Sequence, residues 1–276
     1  MVDTLRGDLR PAIESIRLVS TEGTRAMRPE QLQAAYYTQT AGHYDDMHVS
    51  DPWDEHYKAL QIIHSVSDML GLGTLLDVGA GTGRGVSFLR NQGQDIRGVE
   101  PVQAMIDQAV AKGLPENAIV RGDGYSLPFD DQSFDAVLEC GVLHHVAEPR
   151  LVVREMMRVA KTAVFLSDSN RFGQGGSGAR LLKLALYKMR LWRAARYVQT
   201  RGKYYTISAG DGLAYSYSIY DSYDQLAEWA DVIWCLPTMC DKTAKSWFHP
   251  LLTSAHGLLC AIRSDGASHS LVTESN

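Results

Sequence analysis

The sequence contains few cysteines, and they are not clustered. Of its 276 residues only four are cysteines, namely Cys140, Cys235, Cys240 and Cys260, and no Cys-x-x-Cys spacing occurs. Zinc sites and disulfide frameworks show closer cysteine spacing than this. We therefore expect reduced, mostly buried thiols and no bound metal.

Long apolar runs are also lacking. No stretch approaches the ~18–20 uninterrupted apolar residues of a membrane-spanning helix, and residues 1–6 lack the apolar segment of a secretory signal. A formal net charge of −5 argues against a protein-wide nucleic-acid surface. Because 45% of the residues are hydrophobic, a packed core is expected. These features predict a cytoplasmic globular protein without membrane or nucleic-acid partners and leave its oligomeric state open.

Helical periodicity appears first along the chain, and an alternation of strands and helices follows. In residues 54–70 apolar side chains recur every three or four positions, which predicts an amphipathic helix that ends at Gly71. From Thr74 onward, short apolar runs alternate with helical segments, and this alternation predicts a parallel sheet covered by helices on both faces. The predicted parallel strands are 75–78, 96–100, 118–120, 134–139 and 162–166.

The alternation stops after Ser167, and apolar runs return only at 231–236 and 257–262, which we predict to be closing strands. The expected fold class is therefore α/β, with a Rossmann-like, doubly wound, seven-stranded and mostly parallel sheet. The predicted parts are an N-terminal helical cap (1–70), a core (71–170 and 231–263), a helical and aromatic lid or substrate insertion after the fifth strand (171–230), and a flexible tail (264–276).

A glycine-rich turn follows the first predicted strand. It has the sequence GAGTG at residues 79–83, and glycines there allow a tight turn and close approach of a ligand to helix N–H groups. A dinucleotide fingerprint, G-x-G-x-x-G, would require glycine where this chain has Arg84. The carboxylate of Asp77, just before the turn, would repel a pyrophosphate but attracts an ammonium or sulfonium group.

Glu100 ends the second predicted strand, where a carboxylate can accept hydrogen bonds from ribose hydroxyls. Taken alone, the glycine turn could be a structural corner and Glu100 a solvated strand end. Together with Asp77 they describe a nucleoside with a cationic 5′ substituent. S-adenosylmethionine is such a molecule.

At this point the sequence resembles the class I S-adenosylmethionine-dependent methyltransferases, in particular the small-molecule, type 11-like group. The resemblance covers about residues 74–167, with the family's motifs in order. The matching segments are 75–83, 99–101, 122–129, 134–137 and 141–146.

The resemblance implies a role for each motif. The glycine turn would contact the methionine part of the cofactor, Glu100 the ribose, and Asp123 the adenine amino group, while residues 139–141 would lie near the sulfonium. Tyr37 and Tyr44 resemble lid residues that close over the cofactor. The predicted cofactor-binding residues are Tyr37, Tyr44, Asp77, Gly79, Ala80, Gly81, Gly83, Glu100, Pro101, Met105, Asp123, Gly124, Tyr125, Glu139, Cys140 and Gly141.

The predicted catalytic residues are His144, Asn170 and Tyr205. Methyl transfer depends mainly on placement of the reacting groups, and a base is needed only if the acceptor arrives protonated. His144 follows the fourth strand and could be that base, although packing or helix capping is the structural alternative for it and for His145. Asn170 could hold a substrate carbonyl or the amino-acid end of the cofactor, or simply form a turn.

Residues 179–203 carry eight of the 27 basic residues, and no acid occurs between Asp168 and Asp211. This local positive patch would suit an anionic or carrier-bound substrate, or would be the solvated face of a lid helix. Seven of the 13 tyrosines follow between residues 197 and 223, where they could line a substrate pocket or pack within strands.

The leading functional hypothesis is an S-adenosylmethionine-dependent methyltransferase that transfers a methyl group to oxygen or nitrogen of a small molecule, with specialised metabolism as one context. The alternative enzyme attacks a non-methyl carbon of the sulfonium, by aminocarboxypropyl transfer or intramolecular cyclisation, and releases methylthioadenosine. In that case Asn170 and Tyr205 would orient the amine of the cofactor. A third hypothesis is an inactive interaction protein that keeps only the fold.

Overall fold

The structure, a computed structural model, describes residues 28–44, 54–208, 211–240 and 250–264. The remainder of the predicted cap, at 1–27 and 45–53, and the tail from 265 onward lie outside the described residues, as does the N-terminal segment examined for a secretory signal. Within the described ranges, no helix is both long and apolar enough to cross a membrane.

In the described part of the chain, two α-helices precede the sheet: α1 (Pro29–Thr40) and α2 (Glu55–Leu70). Asp54 caps the start of α2, where its side chain accepts a hydrogen bond from the His56 backbone N–H (2.8 Å), as N-cap residues do. Gly71 ends the helix in the left-handed conformation, with φ of +64°, which glycine adopts without a steric penalty. The predicted helix and its glycine stop are therefore both present.

Five parallel strands and three connecting helices follow, close to the predicted positions. The strands are β1 (Thr74–Val78), β2 (Asp95–Glu100), β3 (Ile119–Arg121), β4 (Phe134–Cys140) and β5 (Ala160–Ser169). The helices are α3 (Arg84–Asn91), α4 (Gln103–Ala111) and α5 (Pro149–Val159).

The segment after β5 contains a helix pair and a separate hairpin. Gln33 of α1 accepts a hydrogen bond from the Leu213 backbone N–H at 2.6 Å, so the hairpin lies against the N-terminal helix. The elements are α6 (Ser177–Lys188), α7 (Trp192–Gln199), β6 (Tyr205–Ser208), β7 (Gly212–Tyr215) and the short α8 (Tyr223–Ala227).

Two further strands complete the sheet: β8 (Val232–Cys240) and β9 (Ser254–Ile262), with a short helix, α9 (Pro250–Thr253), before β9. The order of the seven strands is β3-β2-β1-β4-β5-β9-β8. Strand β9 is antiparallel to both of its neighbours, β5 and β8. The predicted seven-stranded, mostly parallel sheet is confirmed.

The sheet is buried on both faces, as a parallel sheet requires. Successive side chains of β1 enter opposite cores because strand side chains alternate. Leu75 packs in one core with Phe165 and Ile63 of α2, whereas Leu76 packs in the other with Met156 of α5. All five of these residues are fully buried, and each such side chain contributes about 1.5–3 kcal/mol.

The strand order reverses between β1 and β4. Strand β1 pairs with β2 on one side and with β4 on the other. The chain therefore leaves β1 and β4 in opposite directions, and a crevice forms between the two neighbouring loops at the carboxyl edge of the sheet. Open α/β sheets bind their ligands in the crevice at such a switch point. The topology therefore brings the glycine turn after β1 close to the histidine-containing loop after β4.

The cysteine expectation is confirmed only in part. The three cysteines described by side chain, Cys140, Cys235 and Cys260, are free thiols, but only Cys260 is buried. Cys140 is partly exposed and Cys235, on β8, is exposed. The prediction of mostly buried thiols was wrong for Cys235 because β8 is an edge strand of the sheet.

Candidate cofactor and active site

A cavity of about 910 Å³ opens at the carboxyl edge of the sheet, near the upper end of the volume range for ligand pockets. Its wall contains the glycine turn after β1, the end of β2 and the loops after β3 and β4, together with residues of α1 and α2. The wall therefore combines motifs that are far apart in the sequence at the switch point of the sheet.

The glycine turn is held in a conformation that favours glycine. Gly79, Gly81 and Gly83 have φ of +77°, +56° and +77°, in the left-handed region. The Gly79 N–H donates to the Val99 carbonyl at 2.8 Å. A Cβ added at Gly79 would lie 2.4 Å from Cγ2 of Val142, so the turn needs glycine for both conformation and space.

We expect Gly79→Ala to destabilise the protein and to weaken cofactor binding about tenfold or more. The reasons are the left-handed backbone, which costs about 1–2 kcal/mol for other residues, and the contact with Val142. The double variant Gly79→Ala, Val142→Ala should recover part of the loss, because it relieves the contact but not the backbone conformation. Thermal melts and cofactor titrations measure both effects.

Gly93 provides the matched control for that variant. It also has positive φ, +86°, but an added Cβ would have no atom within 4 Å. Gly93→Ala should therefore lower the melting temperature without changing cofactor affinity. Equal affinity losses in the Gly79 and Gly93 variants would show that the turn is only a structural corner.

Two buried carboxylates, Asp77 and Glu100, lie beside the turn and are only 3% and 5% exposed. The oxygens of Glu100 accept hydrogen bonds from the backbone N–H groups of Gly81 (3.0 Å) and Val102 (2.9 Å). Oδ2 of Asp77 faces Gly85, where a Cβ would approach it to 2.6 Å. The fold thus holds two acidic groups in a space that is largely shielded from water.

Burial makes both carboxylates difficult to ionise. Burial, and next the charge of Glu100, raise the pKa of Asp77 to about 7. Burial raises the pKa of Glu100 to about 7, although its two backbone hydrogen bonds act in the opposite direction. A cationic ligand would offset these penalties by favouring the charged forms.

The remaining predicted cofactor residues, with one exception, also line the cavity. Asp123 begins a turn in which its Oδ1 accepts the Tyr125 backbone N–H at 2.8 Å, and Pro101 and Met105 lie near the end of β2. Tyr37 and Tyr44 contact each other edge to face, with ring centroids 5.7 Å apart. These positions agree with the predicted roles but do not test them.

The exception is Glu139, which lies behind the wall formed by Cys140 and Gly141. It is fully buried, and its Oε2 accepts the Val142 backbone N–H at 2.9 Å. Burial and the neighbouring Asp168 raise the pKa of Glu139 well above its ordinary value. The structure therefore gives Glu139 a position beneath the loop rather than in the cavity wall.

None of the three predicted catalytic side chains lines the cavity. Asn170 is 1% exposed, and its amide nitrogen donates to the Leu251 and Ser254 carbonyls while its oxygen accepts from Phe172 N–H and Ser218 Oγ. Because these four bonds engage both ends of the amide, Asn170 fits the turn-forming alternative better than a role toward substrate.

Tyr205 and His144 also lie outside the cavity wall. Tyr205 pairs with Tyr215 in the hairpin, with ring centroids 5.9 Å apart. Nδ1 of His144 lies 2.7 Å from the Asp168 carboxylate. Burial disfavours the charged ring, but Asp168 and Asp211 raise the pKa of His144 well above its usual value. His145, rather than His144, lies in the wall.

Sequence reasoning missed His56, which lies in the first turn of α2 and lines the cavity. Its buried Nδ1 has no hydrogen-bond partner among the described residues. A Cβ added at Gly141 would lie 2.9 Å from His56 Cε1, so the ring lies beside the loop after β4. A lone histidine on a helix carries no sequence signal, and only the packing of α2 brings this one to the site.

The comparisons with known proteins agree with this geometry. Residues 76–166 match the family model described as a methyltransferase domain, a range that includes the end of β1, the glycine turn and the whole of β2, β3 and β4. Residues 76–166 therefore form a methyltransferase domain. The predicted resemblance to methyltransferases and the predicted cofactor, S-adenosylmethionine, are thereby confirmed.

Relatives in curated collections support the same assignment. An uncharacterized methyltransferase of Mycobacterium leprae is 32% identical over 154 residues, which are 52% of this chain and 57% of the relative. A second, from Mycobacterium tuberculosis, is also 32% identical and is covered over 60% of its length. The chain therefore spans less than two thirds of the relatives it matches.

Solved structures share the fold of the methyltransferase domain. Magnesium protoporphyrin IX methyltransferase from Synechocystis, with bound S-adenosylmethionine, aligns with a TM-score of 0.55 and 15% identity, over 88% of this chain and all of that one. A possible histamine N-methyltransferase from Thermotoga maritima aligns with a TM-score of 0.53 and 18% identity, over 83% and 99% of the two chains. At these identities the alignments establish the fold alone.

Proposed function

We propose that this protein transfers a methyl group from S-adenosylmethionine to oxygen or nitrogen of a small molecule. The observation that carries the proposal is the pair of buried carboxylates, Asp77 and Glu100, beside the glycine turn of a methyltransferase domain. One protein of similar fold is named for its action on magnesium protoporphyrin IX, and another is named as a possible histamine N-methyltransferase. Both of these named compounds are small molecules, which supports an acceptor of this class.

The cofactor orientation follows from the charges and the turn. The ammonium group of the methionine part would lie near Asp77, the ribose hydroxyls would bond Glu100, and the adenine would lie near Asp123. The methyl group would then point past Cys140 and Gly141. This orientation leaves the part of the cavity next to His56 and the tyrosines of α1 for the acceptor.

His56 is the residue best placed to accept a proton from the acceptor. Burial lowers the pKa of His56 to about 4, so the ring is neutral at pH 7, and its Nδ1 has no hydrogen-bond partner among the described residues. S-adenosylmethionine would supply the methyl group, with S-adenosylhomocysteine as the leaving group, and His56 would hold the proton that the acceptor oxygen or nitrogen releases.

We expect His56→Gln to lower kcat/KM for a hydroxyl acceptor at pH 7 by about 10²-fold, the low end of the usual contribution of a general base, because a base with a pKa of about 4 accepts a proton weakly. Affinity for S-adenosylmethionine should change little. In the variant the rate should rise with pH toward the acceptor's own pKa, because hydroxide then replaces the missing base. His64→Ala, on the same helix but outside the cavity wall, is the control, and an unchanged rate for His56→Gln would contradict the assignment.

The basic helix pair supports an anionic or carrier-bound acceptor. No residue of α6 or α7 is buried, and the cations of Lys188 and Arg193 are exposed. Others have structural partners: Lys183 donates to the Arg171 carbonyl at 2.9 Å and Arg180 to the Leu252 carbonyl at 3.0 Å. The remaining positive charge on an acidic protein would attract a phosphorylated or thioester-linked substrate.

Mass spectrometry of the cofactor products tests the proposed reaction. The protein is incubated with S-adenosylmethionine alone and then with pools of hydroxyl and amine acceptors. Acceptor-dependent S-adenosylhomocysteine and a product heavier by one methylene unit support methyl transfer. Methylthioadenosine formed from the cofactor alone would instead support attack on another carbon. The positions of Asn170 and Tyr205 outside the cavity wall do not favour that alternative.

A further inference from the structure

Two histidines and an aspartate converge at the side of the cavity. His144 and His145 belong to the helical turn Leu143–His145 after β4, and Asp211 precedes the hairpin strand β7. Nε2 of His144 lies 3.6 Å from Oδ2 of Asp211, and Nε2 of His145 lies 3.4 Å from its Oδ1. The three potential ligand atoms all lie within 4.8 Å of one another.

The hydrogen bonds of the two imidazoles fix which nitrogen carries the proton. Nδ1 of His145 lies 2.7 Å from the Leu213 carbonyl, closer than the 3.2 Å to Gln33 Nε2. A carbonyl oxygen only accepts, so Nδ1 of His145 is the donor. Nδ1 of His144 likewise lies 2.7 Å from the Asp168 carboxylate and donates to it.

The lone pairs of both Nε2 atoms therefore face the carboxylate of Asp211 when the rings are neutral. The distances from these Nε2 atoms to the oxygens of Asp211, 3.4 and 3.6 Å, exceed the usual 2.7–3.2 Å of an N–H···O bond. They instead match the distance between two ligand atoms that each lie about 2.0–2.2 Å from one shared ion at near-tetrahedral angles. A bound ion would take the place of the proton that Asp168 and Asp211 otherwise favour on His144.

The surroundings resemble the outer shell of a metal centre. Metal-bound histidines donate their second ring nitrogen to a carboxylate or a backbone carbonyl, and here Asp168 and Leu213 provide one of each. Asp168 is fully buried, and it also accepts the His144 backbone N–H at 3.2 Å, so the first imidazole is held in a fixed orientation. The imidazole of His145 is held by Leu213 of β7, whose backbone N–H in turn donates a hydrogen bond to Gln33 of α1.

We propose that His144, His145 and Asp211 bind one divalent transition-metal ion of the Zn²⁺ class beside the methyl-acceptor part of the cavity. Two imidazoles and a carboxylate suit zinc and its neighbours, whereas Mg²⁺ and Ca²⁺ prefer oxygen ligands. Three protein ligands leave a position open. Because His145 also lines the cavity and its ring lies 5.9 Å from that of Tyr37, that position would be available to a donor atom of the acceptor. The assignment departs from the sequence-based expectation of a metal-free protein.

Metal titration of the full chain tests the site independently of methyl transfer. The protein is stripped with a chelator and titrated with Zn²⁺ by calorimetry and with Co²⁺ by visible absorption, in the absence of cofactor. We expect one ion per chain and the ligand-field bands of Co²⁺ in a site of low coordination number. Asp211→Asn and His144→Ala should each weaken binding at least about 100-fold, and Asp168→Asn about 10- to 100-fold, the usual effect of losing an outer-shell partner.

The variants separate this site from adventitious binding and from misfolding. His64→Ala, which removes a histidine elsewhere, should bind the metal like the parent. Asp211 is 47% exposed, so Asp211→Asn should fold, and unchanged S-adenosylmethionine affinity of this variant would show that it does. The proposal is overturned if no stoichiometric ion binds, or if binding survives in Asp211→Asn and His144→Ala. Because the titration contains no cofactor, its failure would leave the proposed methyl transfer standing.

Discussion

Replacing Asp77 with asparagine is expected to weaken S-adenosylmethionine binding at least about 30-fold and to make the unliganded protein more stable. Removing one partner of a buried charge pair, here Asp77 and the cationic group of the ligand, costs about 2–5 kcal/mol of binding free energy, and this cost is the expected loss of affinity.

The gain in stability arises because the folded protein raises the pKa of Asp77 from 3.8 to about 7. A buried acid with a raised pKa destabilises the folded state once it must ionise.

The sign of the stability effect fixes its pH range. The penalty from Asp77 is absent below about pH 4, where the group is protonated in both states, and is complete above pH 7. Asp77→Asn should therefore raise the melting temperature most at pH 8, by several degrees, with the gain vanishing near pH 4. Asp95→Asn, at the exposed start of β2, is the control and should change neither property. A destabilised Asp77→Asn variant with full cofactor affinity would refute this role for Asp77.

Cofactor affinity is expected to fall about 100-fold between pH 8 and pH 6. The pKa values of Asp77 and Glu100 are both raised to about 7 in the unliganded protein, and a cationic ligand binds best when both are ionised. Below pH 7 each carboxyl group is protonated in the unliganded protein and must lose that proton when the ligand binds. The affinity therefore drops by up to tenfold per pH unit for each group as the pH falls. Calorimetry in buffers of different ionisation enthalpy should show proton release on binding at pH 7.

Adenosine provides the matched ligand for that measurement. It keeps the ribose contact proposed for Glu100 but lacks the cationic group proposed to lie near Asp77. Its affinity should therefore fall only about tenfold over the same pH range, since one ionisation matters instead of two. Identical pH profiles for the two ligands would show that Asp77 does not recognise the cationic end.

The fold was predictable from the sequence because its signals are local. The apolar runs of β1 to β5, the helix ending at Gly71 and the glycine turn are each read within a dozen residues. Asp77 and Glu100 were identified for the same reason: each holds a fixed place relative to a strand end. The family assignment then followed from the order of these motifs along the chain.

The side of the cavity proposed for the acceptor was not predictable in this way. His56 reaches it through the packing of α2, and Asp211 reaches the two histidines only because the hairpin lies against α1 through Gln33 and Leu213. Asn170 looked equally suited to catalysis and to a turn until its four hydrogen bonds were located. Such contacts join distant segments, and no periodicity or spacing in the sequence records them.

Calorimetric titration with S-adenosylmethionine at pH 8 tests the central claim most directly. We expect one cofactor per chain with a Kd below about 100 μM, within the range usual for enzyme ligands, and no binding of nicotinamide or flavin dinucleotides. Absence of binding at millimolar S-adenosylmethionine, or tight binding of a dinucleotide instead, would contradict the account of the carboxylates at positions 77 and 100.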